Sequence, residues 1–352
     1  MISLDGSFGE GGGQIIRTAL GLSVLTNQAF EVLNIRTSRP LPGLKPQHLA
    51  AIRTLQEISC ASVIGAKEGS LHLIFKPEAF QPRDIIIDVG TAGSITLVLQ
   101  ALLLPILFGG KHVNLKIRGG TDVKWSMPFD YVKEVLVPHL QKYAQVECNL
   151  HRRGYYPKGN GLVELNIKPR FTLTSLKDAP HINTVKRNKL IMIRGVSHAS
   201  IDLQNKKVTE RQTYATKITL KDLGVPIEIR EEYHYTASPG FGISLFAYFG
   251  KDEELDEQQT QIIGADALGE REKSAEQVGT EAAMRLLKEL HADAPIDSHL
   301  ADNLVPLLGL IGNALKTTTI TSHTQTNVYV TNQFLNNCLV IDHKNSTISK
   351  RH

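Results

Sequence analysis

Cysteine is scarce, tryptophan occurs once, and neither sign of charge dominates. Three cysteines in 352 residues (Cys60, Cys148, Cys338) are odd in number and widely spaced. They exclude a disulfide framework and a cysteine-built metal site, and they suit a reducing, cytoplasmic setting. A net charge of +4 is too small to argue for nucleic-acid binding by itself, so a polyanionic ligand would need local basic clusters. Long apolar runs are missing too. The most apolar stretch, Ile95 to Phe108, carries Gln100 and is short of the ~20 residues that span a bilayer; it suits a buried helix. The start, Met1 to Gly6, has no basic or long apolar stretch, so neither a signal peptide nor a membrane partner is expected. Two phosphate signatures are also absent. No Walker A or dinucleotide glycine spacing occurs, and no Lys-x-Asp-Gly supplies a nucleophilic lysine, since Asp5-Gly6 follows Ser3-Leu4.

What is present is an ordinary globular composition, 41% hydrophobic and 21% charged, on a chain long enough for two domains. Apolar spacing predicts helices over 14–25 and 47–58, a strand over 30–36, and strands at 62–64 and 71–76. A similar series follows: helices over 94–108 and 130–143, a strand over 113–118, then strands over 144–150 and 162–168. The offset of roughly 80–90 residues suggests duplication of one α/β unit. Each unit opens its first helix with a glycine-bearing turn, and each places an arginine, Arg36 or Arg118, at the end of its strand. A third unit begins near Lys189 but is interrupted by a more polar segment with a helix over 206–223 and strands near 226–230 and 242–249. Within it, residues 252–259 are charged or amide apart from Leu255, the composition of a solvated surface. Helices over 275–290 and 300–315 follow, then strands around 317–321 and 328–330. The expected division is a large domain of residues 1–187 and 273–352, with 188–272 inserted.

Four segments carry possible chemistry. In Phe8-Gly9-Glu10-Gly11-Gly12-Gly13-Gln14-Ile15-Ile16-Arg17, glycines let backbone N–H groups converge ahead of a helix N-terminus, which favours a phosphate. Glu10 there is a possible Mg²⁺ ligand, and Arg17 lies one turn into the helix; a flexible turn with a surface Glu is the plainer alternative. Arg36 to His48 holds three cations, Arg36, Arg39 and Lys45, in a loop stiffened by Pro40, Pro42 and Pro46, suited to phosphate or simply solvated. Arg118 to Pro128 contains Trp125, a stacking surface or a packing residue, and Arg153 to Gly161 mixes basic and aromatic groups as single-stranded RNA contacts or hairpin connectors do. Finally, Thr317 to Asn327 reads as a polar strand pair bearing His323, whose neutral imidazole can attack phosphorus, although a histidine in a Thr-rich strand is commonly structural.

Together these segments, with Ser274-Ala275-Glu276 and His299-Leu300-Ala301-Asp302, resemble the RNA 3′-terminal phosphate cyclase family in order and spacing across nearly the whole chain. The resemblance implies an α/β (α+β) fold: three repeated βαβαββ-like units form one large domain, with a small α/β domain inserted in the third. It implies ATP-dependent closure of an RNA 3′-phosphate to a 2′,3′-cyclic phosphate, with His323 as the nucleophile that carries AMP. Glu10 would hold Mg²⁺ or Mn²⁺. Arg17, Arg39, Gln100, Pro128, His299, Leu300, Ala301, Asp302 and Asn303 would bind the nucleotide, with Pro128 and His299 enclosing adenine. Gly11, Gly12, Gly13, Arg36, Lys45, Gln47 and His48 would meet phosphate or RNA. Asn160 replaces a glycine of the family's glycine-rich signature, Met127 a proline and His299 a tyrosine. A cyclase-like assembly factor without catalysis, which would lack the nucleophile and metal ligand, and an enolpyruvyl transferase are the rival readings. Nothing in the sequence signals an oligomeric state.

Overall fold

A computed structural model describes residues 1–251 and 261–351; the solvated surface expected at 252–259 lies outside them. The chain opens with strand β1 (Ile2–Asp5), helix α1 (Gln14–Thr26), β2 (Phe30–Leu33), α2 (Pro46–Ser59), β3 (Ser62–Ile64) and β4 (Leu73–Lys76). β1 and β2 run parallel across the α1 crossover, and β4 pairs antiparallel with both β2 and β3, giving the order β1-β2-β4-β3. Next come β5 (Ile85–Asp88), α3 (Ile95–Leu107), β6 (Val113–Gly119), α4 (Phe129–Tyr131), a π-turn (Val132–Leu136), α5 (Val137–Leu140), β7 (Ala144–Arg152) and β8 (Gly161–Pro169). Their order, β5-β6-β8-β7, has the same parallel and antiparallel pairs.

After β9 (Ile182–Thr184) the chain makes a different sheet from β10 (Lys189–Ser200), β11 (Ile227–His234), β12 (Phe241–Gly250) and β13 (Gln261–Leu268), in the order β11-β10-β12-β13. Helices α6 (Val208–Leu220) and α7 (Ala275–His291) cover it. The chain then returns through α8 (Ser298–Ile311), β14 (Gly312–Lys316), α9 (Ser322–Phe334), β15 (Leu339–Asp342) and β16 (Thr347–Lys350). β9 is parallel to β14, β14 antiparallel to β16 and β16 antiparallel to β15, which is the pairing of the first two sheets again.

Packing explains the layering. Helix α1 is buried from Gln14 to Leu25, so it is a central helix rather than a surface one. It lies against α3 and α9, and at Gly21 a Cβ would come 3.0 Å from the Ala101 carbonyl oxygen, a tight approach that glycine makes without displacing α3. One hydrophobic core runs through the three similar sheets, whereas Ile193, Leu245 and Ile263 form a second core with Val278, Ala282 and Leu286. Because those last three residues lie on α7, we propose that the insertion comprises α7 as well as residues 188–272.

Several boundaries differ from the sequence expectation. β2 ends at Leu33, and Arg36 sits beyond it in a turn with φ +55°. Helix α8 stops at Ile311, and the strand that follows is 312–316 rather than 317–321. The expected strands at 317–321 and 328–330 are corrected most: residues 322–334 form α9. Threonine's β preference is outweighed by an N-terminal cap, in which Thr321 Oγ1 accepts from the Thr324 N–H at 2.9 Å and Thr324 Oγ1 from the Thr321 N–H at 3.2 Å.

The inserted sheet is tied to the second unit by a buried arginine. Arg153, 1% exposed, lies 3.3 Å from Asp122, 2.8 Å from Asp130 and 3.3 Å from Glu232 of β11. Asp122, Asp130 and His198 have ligand atoms within 4.8 Å of one another, as a metal site would, but the guanidinium already supplies the cation there. The carboxylates hold its pKa above the ordinary arginine value despite burial. Asn160, at the substituted glycine position, has φ +61°, a left-handed conformation that asparagine tolerates, and Arg152 donates to both its carbonyl and side-chain oxygens. Removing one partner of such a buried ionic cluster costs about 3–5 kcal/mol. Arg153→Ala is therefore expected to lose stability of that size in urea unfolding; a loss below about 1 kcal/mol, the range of exposed pairs, would contradict the clamp.

Candidate active site

Two helix N-termini, far apart in sequence, meet at one bowl. The Gly9–Gly13 loop turns into α1 with φ +62° at Gly9 and +56° at Gly11. A Cβ on Gly11 would come 2.3 Å from Ser38 Oγ, and one on Gly13 would come 2.1 Å from His48 Nε2, so the loop is pressed against the Arg36–His48 segment. Pro46 starts α2, where its missing N–H costs nothing, and the first turn aims His48 inward. His48 Nδ1 accepts the Lys45 N–H at 3.0 Å, which assigns the ring proton to Nε2. That Nε2 is buried without a hydrogen-bond partner beside Gly13. Burial, then the charges of Arg17, Arg36 and Lys45, hold His48 well below the usual imidazole range, so it is a neutral donor.

Arg17 is 7% exposed. Its Nε donates to Gln100 Oε1 at 2.8 Å and Nη2 to Gln14 Oε1 at 2.6 Å, leaving Nη1 directed at Gly13. Burial and Arg36 pull it down to about 9, still charged at neutral pH. Gln100 Nε2 donates to Asn303 Oδ1 at 3.1 Å, and Asn303 Nδ2 lies 3.3 Å from Met127 Sδ, so the first helices of all three units join through side-chain amides. Arg39 closes the bowl, with Nη2 donating to Glu10 Oε2 at 3.0 Å. Arg36 Nε and Arg39 Nε are buried without partners, and Lys45 and Gln47 are half-buried nearby.

His323 reaches this bowl from the first turn of α9. Its Nε2 lies 3.9 Å from Glu10 Oε2, and its Cε1 would be 3.8 Å from a Cβ on Gly12. Its side chain is 44% exposed, open to a ligand. Burial, opposed by Glu10 and reinforced by Arg17 and Arg39, lowers its pKa from 6.5, so the ring is neutral at pH 7. A Ser322 hydrogen bond, then His323 and Arg39, keep the Glu10 carboxyl low and ionised. Glu10 fits a hard divalent cation, because Mg²⁺ is commonly held by one or two carboxylates together with substrate phosphates.

Asp302 positions α9. Its Oδ1 accepts from Thr321 Oγ1 at 2.9 Å and Thr324 Oγ1 at 2.6 Å, and its carbonyl from Asn327 Nδ2 at 2.6 Å. Asn327 Oδ1 in turn accepts from Gln14 at 3.0 Å and Thr18 at 2.6 Å. Phe8 stacks on Tyr329 with centroids 4.1 Å apart, a contact between the start of the glycine loop and α9. Sequence reasoning missed Asn327, Gln14, Thr321 and Thr324. The one available signal was the Thr-x-x-Thr cap, weaker than the usual Ser/Thr-x-x-Glu pattern.

Pro128 caps α4, and Tyr131 of the same turn meets the His299 ring edge-on at 6.1 Å while donating to Asp297 Oδ1 at 2.5 Å. Asp297 also caps α8 through the Leu300 N–H at 2.8 Å, which fixes where His299 stands. Leu300 and Ala301 have fully buried side chains, and their N–H groups are spent on Asp297, so they act as packing beneath His299. The bowl thus combines four cations, a neutral donor, one carboxylate and one open imidazole, an arrangement for transfer chemistry on a polyphosphate.

Burial raises Asp302 to about 6 from 3.8, opposed by its threonine donors. Its stabilising contribution is therefore complete below pH 3.8 and lost as pH rises through about 6. Asp302→Asn cancels this term. The stability of the variant relative to the parent should rise between about pH 4.5 and pH 7 in urea titrations; a pH-independent difference would rule out the raised value.

The sequence profile of the family described as RNA 3′-terminal phosphate cyclase matches residues 8–341. An RNA 3′-terminal phosphate cyclase of Pyrococcus furiosus is 44% identical over 335 residues, covering 95% of this chain and 93% of that protein. One of Staphylothermus marinus is 42% identical over 349 residues (97% and 94%), and one of Archaeoglobus fulgidus 41% over 340 (95% and 96%).

Proposed function

Because this chain belongs to the RNA 3′-terminal phosphate cyclase family, we propose that it closes RNA 3′-phosphate ends through a covalent AMP on His323, using ATP. The observation that carries the reading is the neutral His323 ring facing the Glu10 carboxylate in a bowl lined by the buried Arg17 and the half-buried Arg36, Arg39 and Lys45. In the first step His323 Nε2 attacks the α-phosphorus of ATP, the bond to the bridging oxygen breaks, and pyrophosphate leaves. An oxygen of the RNA 3′-phosphate then attacks the same phosphorus, the P–N bond breaks, and the RNA end carries AMP. Finally the vicinal 2′-hydroxyl attacks the RNA phosphorus, losing its proton, and AMP departs with the cyclic phosphate left behind.

Each step is a displacement at phosphorus, so the protein's work is alignment and charge neutralisation. Arg17, Arg39 and the α1 N-terminus meet the phosphates of the nucleotide, while Gln100 and Asn303 hold Arg17 in place. The His48 Nε2–H, Arg36, Lys45, Gln47 and the Gly11–Gly13 backbone meet the phosphate of the RNA end. Glu10 would hold Mg²⁺ or Mn²⁺, which supplies charge neutralisation on the phosphate oxygens. Pro128 and His299 flank adenine, and Asp302 sets the pitch of α9. Among the described residues no helix is long and apolar enough to cross a membrane, and the three cysteines stand free, in keeping with work in the cytoplasm.

Incubation with ATP labelled at the α-phosphorus should leave acid-labile, base-stable label on the parent protein and none on His323→Ala, with the unfolding midpoint unchanged. Full labelling of that variant would eliminate the mechanism. The imidazolium has no free electron pair at Nε2, so labelling should fall as pH drops, with a midpoint below the ordinary 6.5. A midpoint above 6.5 in the rate–pH profile would be incompatible with a histidine held neutral by burial.

A further inference from the structure

An aromatic ring stands at the lip of the bowl and takes no part in holding phosphate. Phe8 lies two residues before Glu10 and is 40% exposed, the only exposed phenylalanine among the described residues. Its main chain is pinned on both sides: the Phe8 N–H donates to the Asp5 carbonyl at 3.2 Å, and the Phe8 carbonyl accepts the Gly11 N–H at 3.1 Å. One face of the ring lies on Tyr329 of α9, with 18° between the planes. Tyr329 is itself held, because its OH accepts the Asp5 N–H at 3.3 Å. The free surface of Phe8 is thus kept in one orientation.

An apolar ring fixed in water contributes little to the fold, but a flat partner meets it without first having to order it. The position says which partner. Tyr329 stands six residues after His323 on α9, about 9 Å further along the axis at ~1.5 Å per residue. Successive nucleotides of a stacked strand are spaced by ~3.4 Å, so the ring lies within about three nucleotides of the reacting end. Arg36, Arg39 and Lys45 line the same bowl. Cations along the backbone, beside an aromatic ring under a base, are how proteins bind single strands without reading sequence. A protein partner fits less well: it needs a broad apolar patch, and Ser7, Gly9 and Glu10 on either side of Phe8 are small or polar.

We propose that the outer face of Phe8 stacks on one of the last three bases of the RNA and so steadies the 3′-phosphate over Glu10 and His323. The idea rests on the reading of the bowl as the seat of the RNA 3′-phosphate. Every base has a π-face, so this contact aligns an end of any sequence. Tyr329 backs the ring from beneath, and through Tyr329 the platform is carried on the same helix as His323. A stacked base therefore keeps its distance from the nucleophile.

The test uses the parent protein, Phe8→Ala and Phe8→Trp, with ATP and short single-stranded RNAs ending in a 3′-phosphate. The RNAs are either intact or lack the base at one of the last three positions. In the parent, loss of one particular base should raise KM for cyclic-phosphate formation about tenfold with kcat little changed, within the range of one base on one ring. Phe8→Ala should raise KM for intact RNA about tenfold and no longer respond to the missing base, and Phe8→Trp should restore the response. Labelling of each protein by α-labelled ATP without RNA should be equal, since no RNA base is involved. Equal KM for intact and base-lacking RNAs in the parent, or a response undiminished in Phe8→Ala, would overturn the platform. So would loss of ATP labelling in Phe8→Ala, which would make Phe8 a support for α9 instead. A parent protein that labels but forms no cyclic phosphate would remove the reading of the bowl, not the ring alone. The base-lacking RNAs test the parent, so the question is answered even if Phe8→Ala fails to fold.

Discussion

The arrangement depends on buried polar groups that can be satisfied in only one way. Gln14 and Thr18 of α1 converge on Asn327 of α9, and Asn327 bonds back to the Asp302 carbonyl of α8. Each of these groups would be costly to leave unpaired in the interior, so the helices cannot slide or rotate against one another without breaking several bonds together. That constraint brings the Gly9–Gly13 loop and His323 face to face. Their closeness is a consequence of helix packing, not of anything in the loop itself.

Two deeply buried arginines show how differently the fold uses the same side chain. Arg153 is surrounded by Asp122, Asp130 and Glu232, and its charge is matched inside the protein. Arg17 is held by two neutral amides and faces other cations, Arg36 among them. The first closes an interface. The second keeps an unmatched positive charge pointed at an anion site, which is favourable once a phosphate arrives and unfavourable before. A protein built for a permanent contact would have paired both.

The inserted sheet takes part in this logic through Tyr131 and Asp297. Asp297 accepts from Tyr131 OH, from the Gly264 N–H of β13 at 2.9 Å and from the first turn of α8. One carboxylate thus fixes three elements, and the positions of Pro128, His299 and Asp266 follow from it. Arg153 adds a second tie, joining Asp122 and Asp130 of the second unit to Glu232 of β11.

Read as a string of residues, the chain specified its two-fold early repeat, its glycine turns and its cation-rich loop. Those features are local: helix and strand periods, glycine's freedom at positive φ and proline's stiffness act over a few residues and survive without context. The strand expected around His323 was wrong because threonine's β preference is also local, and it is overridden by a cap and by the buried bonds of Thr324 and Asn327. Strands β1, β5, β9, β15 and β16, of four residues or fewer, escaped notice, and so did the longer β10 and β13, whose apolar residues do not alternate strictly because both faces are largely buried. Only the tertiary structure decided that His48 turns a free N–H toward Gly13, that Arg153 is buried among carboxylates, and that residues 10 and 323 share one bowl. Such facts depend on long-range packing and on which polar groups lose their water, and neither is written in the spacing of residues along a chain.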